Sequence, residues 1–136
     1  MHNFTNLFNR TKNPNNRYTK PYYSIVSEKA GRVVDVAQDG PFRGTLIIWD
    51  GYNGDNQAFT IVQSGGAFLI KCRQNKGYLT VESNADGAKI YTSPQPTQAS
   101  MFNLVEVSPG AKKYNIYTFC GKVLDLFQGE KNNGTQ

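Results

Sequence analysis

The 136-residue sequence has few of the residues on which most catalytic sites depend: one histidine, two cysteines and one tryptophan. The histidine, His2, stands at the second position, so no Ser-His-Asp or Cys-His set can be assembled around it. No glycine-rich phosphate loop follows a strand and opens a helix. These absences predict a protein that is not an enzyme and that needs no cofactor.

The two cysteines, Cys72 and Cys120, show neither CxxC spacing nor a nearby cluster of histidines. A zinc site needs such a cluster of ligands, so no metal ion is expected. The two thiols either form a disulfide or stay reduced, and the sequence is compatible with both.

Long apolar runs and clustered charges are absent as well. No run approaches the ~18 apolar residues of a membrane-spanning helix, so membrane insertion is not expected. The first ten residues lack the basic-then-apolar layout of a secretory signal, which predicts a cytoplasmic or unconventionally secreted protein, or a processed form. The net charge of +5 is spread along the chain, with Lys112-Lys113 the tightest basic pair, so no nucleic-acid partner is expected.

Glycine and aromatic residues are abundant, with 13 Gly, 8 Tyr and 8 Phe. This composition favours an all-β protein of short strands, and the length suits a single domain, residues 1–136, with its own core.

A threefold internal repeat organises the sequence. The segment Gly31–Val36 recurs at 77–81 and at 121–126, and an alternating strand precedes each copy. The acid position of the repeat, 45 residues apart both times, is occupied by Asp35, Thr80 and Asp125. A unit this small cannot bury its apolar face alone, so three units of four short strands must share one core. The predicted units cover about residues 21–62, 63–107, and 108–136 together with 4–20.

One stretch of the first unit, residues 44–61, carries the clearest chemistry. A short strand that ends at Trp49 enters a turn rich in Gly, Asp and Asn, and the amide pair Asn56-Gln57 precedes Phe59. A carboxylate from Asp35, two amides and an aromatic plate close together would suit a sugar ring.

These residues resemble a repeat of the ricin-B-like, or R-type, lectins. The match lies in Val34-Asp35-Val36, in Ile48-Trp49, and in Asn56-Gln57-Ala58-Phe59, where the family's Gln-x-Trp signature is relaxed to Gln-x-Phe. The resemblance implies a β-trefoil, in which three four-stranded units surround a pseudo-threefold axis. It also implies one galactose-type sugar in each competent unit.

The third unit stops at Gly134-Thr135-Gln136, which matches residues 44–46. Aligning Tyr18 on Phe59 places Leu7 on Ile48, Phe8 on Trp49, Asn15 on Asn56 and Asn16 on Gln57. We therefore expect the N-terminal segment to close the third unit, as in a circularly permuted trefoil. Two alternatives stay open: a disordered Asn-rich leader, or closure by a neighbouring molecule in a strand-swapped homodimer.

Carried over to this chain, the resemblance assigns a sugar site to the first unit. Asp35 is the acceptor, Trp49 the platform and Asn56 and Gln57 the amides, while Asp39, Gly40 and Tyr52 line the rim. A purely structural role for Gln57 is the alternative, because buried amides are usually satisfied within the fold.

The other two units differ from the first. Thr80, Thr92 and Ala99-Ser100 replace the acid, the platform and the amides of the second unit, which is expected to bind nothing. A third-unit site would consist of Asp125, Phe8, Asn15 and Asn16.

The expected function is that of a multivalent lectin, an agglutinin for galactose- or N-acetylgalactosamine-type glycans on glycoproteins or glycolipids. Two alternatives are a protein-binding trefoil, such as a protease inhibitor or cytoskeletal protein, and a trefoil that binds glycosaminoglycans. Candidate residues for glycosaminoglycan binding are Arg10, Lys12, Arg17 and Lys20.

Overall fold

The computed structural model describes residues 4–9, 22–111, 113–125, 131–134 and 136; residues 4–9 are described by their backbone alone. These parts of the chain form ten β-strands and two short 3-10 helices, η1 and η2. In chain order they are β1 (Phe4–Asn9), β2 (Tyr23–Ser27), β3 (Val33–Val36), β4 (Leu46–Trp49), η1 (Asp55–Gln57), β5 (Phe59–Ser64), β6 (Ala67–Cys72), β7 (Tyr78–Val81), β8 (Ile90–Ser93), η2 (Gln98–Ser100), β9 (Phe102–Glu106) and β10 (Lys113–Thr118). No helix in the described part is long and apolar enough to cross a membrane.

The same four-strand pattern occurs twice, as β2–β5 and as β6–β9. In each unit the second and third strands form an antiparallel hairpin, and the fourth strand pairs with the first strand of its own unit and of the next. Corresponding glycines make the turn after the first strand possible. Gly31 and Gly121 both have positive φ, where a glycine has no Cβ to clash, and their amides donate to Ser27 and Thr118.

The core lies where the first and fourth strands of the units meet. Phe59 and Phe102, which open the fourth strands, are fully buried, and Ile25, Ile70 and Ile116 occupy the same place on the three first strands. Burying a side chain of this size stabilises a fold by about 1.5–3 kcal/mol. The aromatic residue of the Gln-x-Phe signature is therefore a core residue. Cys72 is buried, Cys120 is exposed, and the two thiols are not bonded to each other.

The N-terminal strand β1 lies between β10 and β2 and pairs with both. Phe4 is opposite Ser27, as Phe59 is opposite Cys72 and Phe102 opposite Thr118. By this register β1 occupies the place of a fourth strand.

The alignment that placed Phe8 on Trp49 is therefore wrong by one strand. Phe8 pairs with Ser24 of β2 rather than standing on a third strand. The error arose because the third and fourth strands of a unit both carry apolar and aromatic residues beside a polar turn. Asn15 and Asn16 lie outside the described residues.

Residues 131–134 lie against the first unit. The Gly134 amide donates to the Ile48 carbonyl at 2.8 Å. A similar contact joins the first two units, where the Thr92 amide donates to the Gly44 carbonyl at 3.2 Å. In both cases a turn glycine of one unit contacts the third strand of another, which is consistent with the equivalent positions of Gly134 and Gly44 in the repeat.

Candidate functional site

Asp35 lies in the middle of β3, opposite Ile47 of β4, and only 3% of its surface is exposed. Its neighbours Val34 and Val36 are buried as well, which places the carboxylate in an apolar strand. No lysine or arginine of the described residues forms an ion pair with it. A buried carboxylate without a cation is costly unless hydrogen bonds compensate for the lost water.

Two side-chain amides supply those hydrogen bonds, one to each carboxylate oxygen. Asn56 Nδ2 donates to Asp35 Oδ1 and Gln57 Nε2 donates to Oδ2, both at 2.8 Å. The short helix η1 points these consecutive amides at β3, and both residues are buried. Burial raises the pKa of the Asp35 carboxyl above its ordinary value of 3.8, while the hydrogen bonds from Gln57 and Asn56 act in the opposite direction.

Both amide groups donate all their N–H hydrogens to acceptors within the protein. Asn56 Nδ2 also donates to the Val36 carbonyl at 3.2 Å, and Gln57 Nε2 also donates to the Asp50 carbonyl at 3.0 Å. Their oxygens accept hydrogen bonds from Tyr52, from its hydroxyl and its backbone amide respectively. The pair is therefore arranged to hold the carboxylate and the Tyr52 turn in place, rather than to donate to a ligand.

Each carboxylate oxygen has two lone-pair positions, and the amides occupy one position on each. One position on each oxygen of Asp35 is left for a further donor. Two neighbouring hydroxyl groups of a small molecule are suited to those positions.

Asp35 lines a surface cavity of about 430 Å³ together with the predicted platform. Trp49 is 40% exposed and Tyr52 is 54% exposed, so both rings can contact a ligand. Six of the seven residues predicted for the first unit line the cavity: Asp35, Asp39, Gly40, Trp49, Tyr52 and Asn56. Gln57 is not a lining residue.

The sequence did not indicate several other lining residues. The turn between β3 and β4 contributes Ala37, Gln38, Pro41 and Phe42, and Ile47 and Gly134 complete the wall. Loop residues carry no repeat signal, which explains why these four residues of the turn were missed while Asp39 and Gly40 were predicted. Gly134 could have been found, because its counterpart Gly44 marks the same turn in the first unit.

A cluster of polar side chains beside Trp49 connects Asn133 to the end of β4, the strand that carries Trp49. Asn133 Oδ1 accepts hydrogen bonds from the Asp50 amide at 2.9 Å and from Arg32 Nε at 2.6 Å. Asn133 Nδ2 donates to Asp50 Oδ2 at 3.0 Å, and Arg32 forms an ion pair with Asp50. We call Arg32, Asp50 and Asn133 the clasp. It fixes Gly134 against the indole, where a Cβ added to the glycine would be 3.9 Å from Trp49.

The second unit contains no carboxylate at the corresponding place. Thr80 is buried, and its hydroxyl forms a hydrogen bond of 2.8 Å with Ser100, the counterpart of Gln57. The pairing of Thr80 with Tyr91 shows that Ser93, rather than Thr92, stands at the platform position. Neither residue is aromatic.

Asp125 of the third unit is exposed and lines a different cavity, of about 540 Å³. Aliphatic side chains from all three units, among them Ile48, Ile90 and Leu124, bound this space. Since Phe8 lies on β1, the described residues do not bring an aromatic platform and Asp125 together. The four basic residues considered for glycosaminoglycan binding also lie outside the described part of the chain.

Comparison with known proteins identifies the class. Residues 8–93 match the family described as ricin-type beta-trefoil lectin domain-like. Since the match covers more than half of the sequence, the chain belongs to this family. No curated protein matches it.

Solved structures agree with this assignment. A designed three-fold symmetric protein, ThreeFoil, is 26% identical with a TM-score of 0.75, and the similarity covers 84% of each chain. The ricin B-like lectin of Macrolepiota procera, solved with lactose, is 22% identical with a TM-score of 0.68 and covers 88% of this chain and 84% of its own. The C-half of an earthworm R-type lectin, solved with GalNAc, is 21% identical with a TM-score of 0.57 and covers 84% and 83%. The predicted all-β trefoil fold is confirmed.

Proposed function

We propose that this protein is a lectin that binds galactose- or N-acetylgalactosamine-type glycans in the first unit, without catalysis. The observation that carries the proposal is the buried carboxylate of Asp35. It has no cation partner among the described residues, one hydrogen-bond position left on each oxygen, and a cavity that it shares with an exposed indole. A purely structural role would not require the carboxylate to line a cavity.

The site offers the two kinds of contact that a pyranose needs. The Asp35 oxygens accept hydrogen bonds from two adjacent sugar hydroxyls, and such charge-assisted bonds are about twice as strong as neutral ones. The Trp49 indole covers the C–H face of the ring and removes apolar surface from water. Asn56 and Gln57 hold the carboxylate in the orientation that both hydroxyls require.

Galactose-type sugars are the proposed ligands for two reasons. The axial O4 of galactose leaves one side of the ring as a continuous C–H patch, which suits stacking on an indole. Two relatives of similar fold were solved with lactose and with GalNAc. Glycoproteins and glycolipids that end in such sugars are the proposed partners.

We infer that strong attachment depends on several copies of the chain. Shallow single-sugar sites bind weakly, with dissociation constants on the order of 0.1–1 mM, and multivalent attachment raises the overall affinity. Within the described residues only the first unit assembles a carboxylate, amides and a platform. A homodimer or a surface-bound array would present several such sites.

Replacing Asp35 tests the proposal. Asp35→Ala removes both acceptors, and we expect galactose binding, measured by calorimetry and on a glycan array, to fall below detection. The matched control is Asp125→Ala, which removes the carboxylate at the corresponding position of the third unit. It is expected to leave the affinity of the first site unchanged.

Circular dichroism and thermal unfolding would show whether each variant keeps its fold. Unchanged sugar binding by a folded Asp35→Ala protein would overturn the assignment. Loss of binding in Asp125→Ala alone would move the site to the third unit.

A further inference from the structure

The cavity of the first unit is acidic although the protein as a whole is basic. Two carboxylates, Asp35 and Asp39, line it, and no lysine, arginine or histidine is found among its described lining residues. The sequence as a whole carries a net charge of +5. The charged residues that line the cavity therefore have the opposite sign to the net charge of the chain.

Asp39 is suited to act on a ligand through its charge. It is exposed at the rim, in the turn between β3 and β4, and it forms no ion pair with any described residue. Asp35, by contrast, is buried and held by two amides. A free rim carboxylate changes little in the fold but acts on every charged group that enters the cavity.

Three described cations are close in sequence or in space to lining residues, but none of them lines the cavity itself. Arg32 is paired with Asp50 at 3.2 Å, outside the set of lining residues. The Lys89 ammonium lies 5.8 Å from the Phe42 ring centroid, and the residue lines the other cavity. Arg43 follows Phe42 in the chain but is not a lining residue. None of the three forms an ion pair with Asp35 or Asp39.

We propose that this cavity selects sugars by charge, and that Asp39 sets the preference. It disfavours glycans that bring a sulfate, a sialic acid or a uronic acid carboxylate into the cavity, and it favours sugars with a protonated amino group. The inference rests on the proposed function, since it concerns the choice among sugars that enter the same site.

Simple electrostatics gives the size of the effect. A unit charge about 5–7 Å from a carboxylate at a solvated rim changes an affinity by about three- to tenfold at low ionic strength. Salt weakens such an interaction, because the screening length falls from about 10 Å at 0.1 M to about 3 Å at 1 M. The preference should therefore shrink as salt is added.

Three monosaccharides with the same ring configuration separate charge from shape: galactosamine, galactose and galacturonate. We expect affinities, measured by calorimetry in low salt, to fall in that order. In Asp39→Asn we expect the ratio between galactosamine and galacturonate to shrink by about three- to tenfold. The readout is a ratio, so a common loss of affinity cancels.

Asp86→Asn is the matched control. It changes the net charge by the same amount but lies on the other cavity, paired with Lys122. It should leave the ratio unchanged. A shift equal to that of Asp39→Asn would show that the overall charge, rather than the rim carboxylate, sets the preference.

The outcomes separate the two proposals. If none of the three sugars binds, the proposed function fails. If galactose binds and galacturonate binds equally well or better, the lectin assignment stands and the charge inference is overturned. An unchanged ratio in Asp39→Asn overturns it as well.

Discussion

Asp35 is one of the residues that distinguish the first unit from the second. At the same position of the repeat, the Thr80 hydroxyl forms a hydrogen bond with the Ser100 hydroxyl, so its hydrogen-bonding capacity is met within the protein. Asp35 needs two amides and still has acceptor positions left. The fold tolerates threonine there, so the carboxylate is not required by the trefoil itself.

The burial of Asp35 predicts how binding depends on pH. Its pKa lies above the ordinary 3.8 because burial disfavours the charged form. Protonation turns one acceptor oxygen into a donor, so we expect sugar affinity to fall with falling pH, with a midpoint above 3.8. Calorimetric titration of galactose at a series of pH values measures this.

Protonation of Asp35 does not unfold the protein, so unfolding caused by Asp35 cannot account for a loss of sugar affinity at low pH. A carboxyl with a raised folded-state pKa contributes stability that is fully present below the unfolded pKa and is lost as pH rises through the folded pKa. Protonating Asp35 therefore stabilises the fold while it weakens binding. Affinity that stays constant down to pH 3.8, in protein shown by circular dichroism to be folded, would contradict the prediction.

At this scale the sequence predicted most of the residues that the structure brings together around the cavity. The acid, the platform and the amide pair follow from the spacing of one repeat, and the structure brings them together. The sequence could not distinguish residues that contact a ligand from residues that hold the Asp35 carboxylate, because the role of Gln57 depends on where its amide hydrogens point. Phe42 and Pro41 were missed because the repeat leaves that turn free to vary.

Among the elements, Asn133 and Gly134 contribute to a candidate site whose other residues come from the first unit. The clasp holds the strand end that carries Trp49, and Gly134 lines the cavity. A site made from two units is a consequence of the threefold arrangement, in which a turn of one unit contacts the third strand of another.

Removing the centre of the clasp is expected to loosen the platform. Asn133→Ala removes hydrogen bonds to the Asp50 amide, the Asp50 carboxylate and Arg32. We expect galactose affinity to fall by about two- to tenfold, since net contributions near 1 kcal/mol are typical of such bonds. Trp49 is the only tryptophan, so its fluorescence anisotropy should fall and report the loosening directly.

The control is Asn103→Ala, which removes an exposed asparagine from β9. It should leave both the fluorescence and the affinity unchanged. An Asn133→Ala protein with the anisotropy and affinity of the parent would show that the clasp does not support the platform.

The position of β1 within the repeat could not be predicted from the sequence of that strand. Short apolar-aromatic segments fit more than one strand of the same repeat, because successive strands share the period of two. Only the pairing of Phe4 with Ser27 and Tyr114 distinguishes a fourth strand from a third. Strand pairing between distant parts of a chain leaves no trace in local sequence.

For the whole molecule, the repeat predicted three units around one core, and the resemblance to the ricin-B-like lectins implied the β-trefoil that the structure has. Three glycine-led copies of one short strand, with Asp35, Thr80 and Asp125 spaced 45 residues apart, imply three units that share a core, and equivalent isoleucines on the three first strands belong to it. The number of sites could not be predicted in the same way. A unit can keep its place in the core, as the second does, with other residues at the positions of the acid, the platform and the amides.

A crystal structure of the protein with galactose tests the central claim most directly. The account predicts one sugar on the first unit, its ring face on Trp49, and two adjacent hydroxyls about 2.5–3.0 Å from Asp35 Oδ1 and Oδ2. Asn56 and Gln57 should keep their bonds to the same oxygens. A sugar that binds elsewhere, or that sits in this cavity without touching the Asp35 carboxylate, would contradict the account.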